Sequence, residues 1–188
     1  MTEEQLHTFE RFAVSQHEAV NHLYDEYLPY QHHLLLVVKN GKRFKHLIKM
    51  FKYNATQRYW NYEPLSFEVE NSVIAALWGH DLFEDTHVNY NWCKEYANEY
   101  TCELIFALTN SKGRNRKERQ DEAYYKGLRE VPGAIFCKLC DRIANVEYGK
   151  LMGSRQIEMY KKENSEFVEK LYDENLKEMF DYLNDLLK

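Results

Sequence analysis

The chain has 188 residues, of which 44% are apolar and 15% aromatic, enough to bury one core, so we expect a single domain over residues 1–188. Its seven Gly and three Pro leave long stretches at helical spacing, which predicts an all-α fold, a compact helical bundle. The net charge is −5, no run approaches twenty apolar residues, and no charged-then-apolar segment opens the chain, so we expect a cytoplasmic protein without a membrane or nucleic-acid partner.

The N-terminal part of the chain is predicted to be helical up to Pro29. Apolar residues recur every three or four positions over residues 3–27, which indicates one long or broken helix that the proline ends. A second helix follows, with His32 and His33 at its beginning and an apolar run over residues 34–38. The apolar face of that run favours burial of His33 over its neighbour.

A basic segment separates this helix from the next. Residues 39–58 hold seven cations and no acid, although they include apolar residues typical of a core. Helical periodicity weakens over residues 54–64, where aromatic side chains accumulate. That composition predicts a loop that either packs on the core or stacks on a nucleobase.

The most informative stretch is residues 75–86, where an apolar helical run ends in four ionisable side chains. In a helix extending to Glu84, His80 lies one turn before Glu84, and Asp81 lies one turn before Asp85. Imidazole and carboxylate ligands suit a divalent cation such as Mn, Fe or Zn, and the second turn places two carboxylates beside its bound water. The alternative is a solvated helix end with a hydrogen-bonded histidine.

A polar loop is predicted between two helices in the second half of the chain. Residues 109–119 interrupt the helical pattern between segments 102–108 and 117–129, and residues 112–119 carry five cations against one acid. Small polar residues and a glycine favour a loop, and its cations suit a phosphate ligand. The alternative is an ordinary solvated surface.

An apolar helix over residues 134–146 contains a single carboxylate, Asp141. Burying a carboxylate is costly unless a cation or hydrogen bonds compensate its charge, so this residue is a candidate metal ligand. Cys137 and Cys140 lie one turn apart on the same segment and are interpreted as small core residues. Residues 154–187 are predicted to form one or two C-terminal helices.

Three motifs together resemble the HD-domain metal-dependent phosphohydrolases, in particular the hydrolase branch of the RelA/SpoT family with its small alarmone hydrolases. The motifs are H-D-x-x-E-D-T at residues 80–86, Pro-Tyr-x-x-His at residues 29–33 and Lys-Leu-x-Asp-Arg-Ile-x-Asn at residues 138–145. The resemblance implies an HD-domain helical bundle. Its metal-site core would span about residues 29–160, with C-terminal helices over residues 154–187.

The same resemblance implies a set of functional residues. One divalent metal ion, Mn²⁺ foremost with Fe, Co, Ni or Zn as alternatives, would be bound by His33, His80, Asp81 and Asp141. Glu84 and Asp85 would be the catalytic residues. The nucleotide would be bound by Lys112, Arg116, Asn145 and Tyr160. Alternatively, Asn145 is an amide on the helix surface and Tyr160 is a packing residue.

The activity that the resemblance implies is removal of the 3′-pyrophosphate from the alarmone (p)ppGpp by metal-activated water. The partner would be a small purine nucleotide; the oligomeric state is left open. Alarmone hydrolases of this type usually carry an Arg-Lys pair about ten residues before the first histidine, where this chain has His22 and Leu23. The alternatives are an HD-type nucleotidase acting on another purine or deoxynucleotide, and a non-catalytic nucleotide-binding regulator.

Overall fold

Helices joined by short turns make up most of the structure, which confirms the predicted all-α fold. The computed structural model describes residues 1–50 and 66–188. The aromatic loop predicted at residues 54–64 lies outside the described residues. The α-helices are α1 (Glu3–Ala19), α2 (Gln31–Arg43), α3 (Ser66–Trp78), α4 (Leu82–Asp85), α5 (Tyr90–Cys93), α6 (Glu99–Leu108), α7 (Arg116–Arg119), α8 (Glu122–Glu130), α9 (Ala134–Met152), α10 (Gln156–Leu171) and α11 (Lys177–Leu186), and 3-10 helices cover Lys45–Met50 and Glu174–Leu176.

The first helix ends earlier than the prediction of helix to residue 27, which is wrong beyond Ala19. Asn21 adopts a left-handed conformation with φ 53°. The amide of Asn21 then donates to the Glu18 carbonyl at 2.9 Å, and the amide of His22 donates to the His17 carbonyl at 3.0 Å. This is a Schellman ending, which satisfies the last carbonyls of the helix and turns the chain back on itself.

A short antiparallel hairpin fills the space where more helix was expected. Strands β1 (Leu23–Tyr24) and β2 (Leu28–Pro29) pair so that Tyr24 lies opposite Leu28. Asp25 and Glu26 at the turn have positive φ angles of 51° and 68°, a conformation that suits the right-handed twist of a tight hairpin. The hairpin therefore leads directly into α2.

The core is built around two central helices. Helix α9 packs against α2, α6, α10 and α11, while α3 packs against α1, α2 and α6. Phe9, Leu34, Leu77 and Leu139 are among the fully buried side chains, and each contributes about 1.5–3 kcal/mol through removal of apolar surface from water. Cys137 and Cys140, both free thiols and fully buried, confirm the interpretation of that pair as core residues.

Helix α3 ends at Trp78 rather than continuing to Glu84, because the chain turns at Gly79. A β-carbon at position 79 would lie 2.7 Å from Cδ1 of Ile105 and 3.0 Å from the Phe9 ring, so only glycine allows α1 and α6 to approach this backbone. The amide of Leu82 donates to the Gly79 carbonyl and starts the short helix α4. The His-Asp pair therefore lies in the turn between two helices.

The remaining elements follow the predicted order with different boundaries. The helix predicted over residues 117–129 is divided into α7 and α8, and each part has its own cap, Asn115 or Asp121. The C-terminal segment forms two α-helices, as one of the two predicted arrangements. Among the described residues, none of the helices combines the length and the apolar character needed to cross a lipid bilayer.

Candidate metal centre and adjoining cavity

Three of the four predicted ligands lie together at the centre of the bundle. His33 comes from α2, His80 from the turn after α3, and Asp141 from α9. The Nε2 atoms of His33 and His80 are 3.2 Å apart, and Oδ1 of Asp141 lies 3.4 Å from the former and 3.9 Å from the latter. Both histidines are buried, with 2% and 3% of their surface exposed.

These separations fit a shared divalent cation. Two ligand atoms that lie about 2.1 Å from one ion and about 90° apart are about 3 Å from each other, close to the observed distances. Nδ1 of His80 lies 2.9 Å from the Leu77 carbonyl, so its proton is donated there and Nε2 presents a lone pair to the centre. A cation between the two imidazole nitrogens and the carboxylate would compensate their burial.

The electrostatics of the centre favour positive charge. Burial alone would lower the pKa of His80, but the carboxylates of Asp81 and Asp141 raise it to about 9. Burial would raise the pKa of Asp141, yet the charges of Lys138 and the hydrogen bond from His33 hold it well below its usual range. An anionic carboxylate and a strongly basic imidazole indicate a site where a proton and a metal ion compete.

Asp81 stands beside this cluster but is not one of its three members. Its Oδ2 lies 2.9 Å from Nε2 of His80 and accepts a short hydrogen bond from the Tyr30 hydroxyl. Its assignment as the fourth ligand stays a prediction. His32, the alternative to His33, is exposed on the outside of α2, and its ring lies 5.9 Å from that of Tyr148, so the structure brings only His33 to the centre.

Asp141 is held in place by its own helix. Lys138, one turn earlier, donates to Oδ2 at 3.0 Å, and Asn145, one turn later, donates to Oδ1 at 2.6 Å. The side-chain oxygen Oδ1 of Asn145 accepts a hydrogen bond from the hydroxyl of Tyr24 on the hairpin at 3.1 Å. The ring of Tyr24 also stacks on His33 at a centroid distance of 4.8 Å. Hairpin and helix α9 thus orient two of the candidate ligands.

A cavity of about 170 Å³ opens beside the centre. Drug-sized ligands occupy pockets of about 300–1,000 Å³, so this cavity has room for the phosphate groups of a nucleotide and not for the whole molecule. Its lining includes three cationic side chains and several tyrosines. The lining residues are Tyr24, Tyr30, His33, Asp81, Asn110, Arg116, Gln120, Lys138, Asp141, Arg142, Asn145 and Tyr160.

The cationic wall of the cavity is built from two arginines that share one carboxylate. Arg142 is only 4% exposed; its guanidinium donates to the Tyr160 carbonyl at 3.2 Å and lies 3.6 Å from Oε2 of Glu163. Arg116 donates through Nε to both carboxylate oxygens of Glu163, at 2.9 and 3.2 Å, and lies over the Tyr160 ring. Glu163 therefore holds both guanidinium groups at this side of the cavity.

The two predicted catalytic acids have different environments. Glu84 accepts three hydrogen bonds from the backbone and side-chain amides of Asn110, at 2.7 to 3.0 Å, and so fastens the 109–119 loop to α4. Asp85 is 42% exposed, and partial burial together with the Asp81 and Glu84 carboxylates raises its pKa to about 6. Asp85 is therefore the freer of the two acids and has a pKa suited to proton transfer near neutral pH.

Three of the four residues predicted to bind the nucleotide lie at the cavity. Arg116, Asn145 and Tyr160 line it, whereas Lys112 is exposed and is not part of the lining. Arg142 was not predicted as a site residue, although it stands next to Asp141 in the third motif. Gln120 had no signal in the sequence, because the turn between α7 and α8 alone carries it to the cavity.

Comparison with known proteins adds no assignment to this geometry. Neither the models of protein families nor the curated protein sequences include one that matches the chain. The residues of the candidate centre and the cavity beside it are therefore the features from which a function is inferred.

Proposed function

We propose that the protein is a metal-dependent nucleotide phosphohydrolase that removes a pyrophosphate from a purine nucleotide, with (p)ppGpp to GDP or GTP plus pyrophosphate as the leading reaction. The observation that carries the proposal is the juxtaposition of a buried His33–His80–Asp141 cluster with a cationic cavity of about 170 Å³. Imidazole and carboxylate ligands leave the identity of the ion open among Mn, Fe, Co, Ni and Zn. The resemblance of the three motifs to HD-domain phosphohydrolases favours Mn²⁺.

When bound, the ion would supply a water of lowered pKa and polarise the phosphoryl group. Asp85 would accept the proton of the attacking water, because its carboxylate is exposed while both oxygens of Glu84 are engaged by Asn110. Attack of the water oxygen on phosphorus would break the bond between phosphorus and the ribose 3′-oxygen, and the proton accepted by Asp85 would balance the one that the ribose oxygen takes up. Glu84 contributes by holding the loop that closes one side of the cavity.

The phosphate groups would be bound by the cationic wall. Arg116, Lys138 and Arg142 all line the cavity. These cations neutralise the charge that the pyrophosphate carries as it leaves. The nucleoside extends outside, because the cavity is too small to hold it.

A nucleotidase acting on a monophosphate is the second candidate, and one observation favours it. His22 and Leu23 stand where similar alarmone hydrolases carry an Arg-Lys pair. Both candidates use the same centre and differ only in the number of phosphates that the cationic wall must hold.

The experiment is incubation of metal-loaded protein with a panel of (p)ppGpp, (p)ppApp, NADPH and deoxynucleoside monophosphates, with chromatographic analysis of the products. We expect release of pyrophosphate from the alarmones. Turnover of monophosphates alone would favour the nucleotidase. Tight binding of an alarmone without turnover in Mn²⁺ would identify a regulator that retains the metal centre, and would refute the proposed activity.

A further inference from the structure

Two histidines outside the three motifs lie directly behind the proposed catalytic acid. His17 is in the last turn of α1 and is 1% exposed, and His22 follows the helix. The Schellman ending places these two residues at its C3 and C″ positions, whose side chains meet when the chain turns back. Their Nδ1 atoms are 2.9 Å apart, so the two rings share one hydrogen bond.

The hydrogen bond between the two rings needs one donor and one acceptor. Burial lowers the pKa of both rings, to about 3 for His17, so each is neutral and carries one proton. Among the described residues, no group pairs with the buried Nε2 of His17. We assign the proton of His17 to Nδ1, because an Nε2–H would be a buried donor without an acceptor. Nδ1 of His22 then accepts this hydrogen bond, which puts the proton of His22 on Nε2.

Nε2 of His22 points toward the second acid of α4. It lies 3.8 Å from Oδ2 of Asp85, a distance that a small rotation of the exposed carboxylate would close when substrate binds. The ring of His22 is held by stacking on Tyr30, with centroids 3.7 Å apart and planes 16° from parallel. Tyr30 itself donates to Asp81. The stacked rings of His22 and Tyr30 thus lie next to the carboxylates of Asp85 and Asp81, respectively.

We propose that His17 fixes the tautomer of His22 so that the Nε2–H of His22 orients the Asp85 carboxylate toward the attacking water. His22 is a positioning residue for the hydrolysis, and its role rests on the proposed function. His17 acts one step further away, as the residue that selects the tautomer. Their arrangement depends on the left-handed Asn21, which turns the chain at the end of α1.

The first test uses substitutions that separate ring packing from hydrogen bonding. His22→Phe keeps a ring on Tyr30 and removes the N–H, whereas His22→Gln restores a donor near the position of Nε2. We expect His22→Phe to lower kcat by roughly 10- to 100-fold, the scale for losing the orientation of a reacting group, with KM and metal occupancy unchanged. His22→Gln should recover part of kcat. His7→Phe is the matched control, because His7 is an exposed histidine of α1 and its replacement should keep the parental kcat.

The second test needs no substrate. Nitrogen-15 NMR of histidine-labelled protein loaded with diamagnetic Zn²⁺ reports the tautomer of each ring, and spectra of His17→Phe and His22→Phe assign the signals. We expect Nδ1–H for His17 and Nε2–H for His22. An Nδ1–H tautomer at His22, or a parental kcat for His22→Phe, would overturn the inference. A protein that hydrolyses no nucleotide in the panel would refute the proposed function instead, while the NMR spectrum would still establish or reject the tautomers.

Discussion

Replacement of Asp141 by alanine should remove the stabilisation that a metal ion gives to the folded protein. Asp141 is the candidate ligand contributed by the central helix α9, and its Oδ1 lies within 4 Å of both histidine nitrogens. An ion at a hundredfold excess over its Kd stabilises a folded protein by about 2.7 kcal/mol. For a chain of this length about 1 kcal/mol corresponds to roughly 2–4 °C, so Mn²⁺ should raise the Tm of the parent protein by roughly 5–11 °C.

The Asp141→Ala protein should show almost no rise in Tm with Mn²⁺. The variant also loses stability without metal, because Lys138, which is 16% exposed, is left without its carboxylate partner. The difference in Tm with and without metal, measured by calorimetry for each protein, cancels this intrinsic loss. Glu147→Gln is the matched control, since it removes a carboxylate from the same helix that pairs with Arg43 away from the centre. A metal-induced rise in Asp141→Ala equal to that of the parent would refute the ligand set.

Three further outcomes follow from individual contacts. The Glu84→Ala protein should keep its metal by elemental analysis, and its turnover should fall by roughly 10²-fold. The fall is expected because the loop held through Asn110 is released and an acid beside the water is lost. Parental turnover in saturating metal would exclude both roles. Arg116→Ala should keep its metal and raise KM by about tenfold in steady-state kinetics, since one phosphate contact is removed; an unchanged KM would place this side chain outside the phosphate site. Burial would raise the pKa of Glu147, but hydrogen bonds from Tyr182, Arg43 and Asn40 lower it overall. The stabilisation that the Glu147 carboxylate gives is therefore present at neutral pH and is lost as the pH falls below about 4.5. Between pH 7 and pH 4, the free energy of unfolding in urea should fall less for Glu147→Gln than for the parent, and equal falls would contradict this assignment.

Much of the fold could be predicted, because long apolar periodicity specifies helices regardless of their tertiary partners. The segment around Asp141 is an example. Its apolar residues indicated a helix, and the lone carboxylate among them indicated a compensating cation. Helix ends were predicted less well. The end of α1 depends on the left-handed Asn21, and the end of α3 depends on the close approach of Phe9 and Ile105 to Gly79. Neither feature alters the apolar period on which the prediction was based.

The candidate site was likewise predictable only in part. Residues within motifs, such as His33 and His80, could be named because their motifs resemble those of HD-domain phosphohydrolases, and the structure brings these two histidines together. The hydrogen bond between Glu84 and Asn110 joins residues 26 positions apart, so local sequence could not reveal that this acid is engaged. The contact of His22 with Asp85 likewise depends on how α1 packs against α4.

The proposed hydrolysis of a nucleotide pyrophosphate by a metal-activated water can be followed by isotope labelling. Mn²⁺-loaded protein is incubated with (p)ppGpp in water enriched in oxygen-18, and both products are analysed by mass spectrometry. Attack of water on phosphorus, with the ribose oxygen leaving, predicts one labelled oxygen in pyrophosphate and none in GDP or GTP. Label in the nucleotide, release of orthophosphate in place of pyrophosphate, or equal turnover by metal-free protein would refute the proposed reaction.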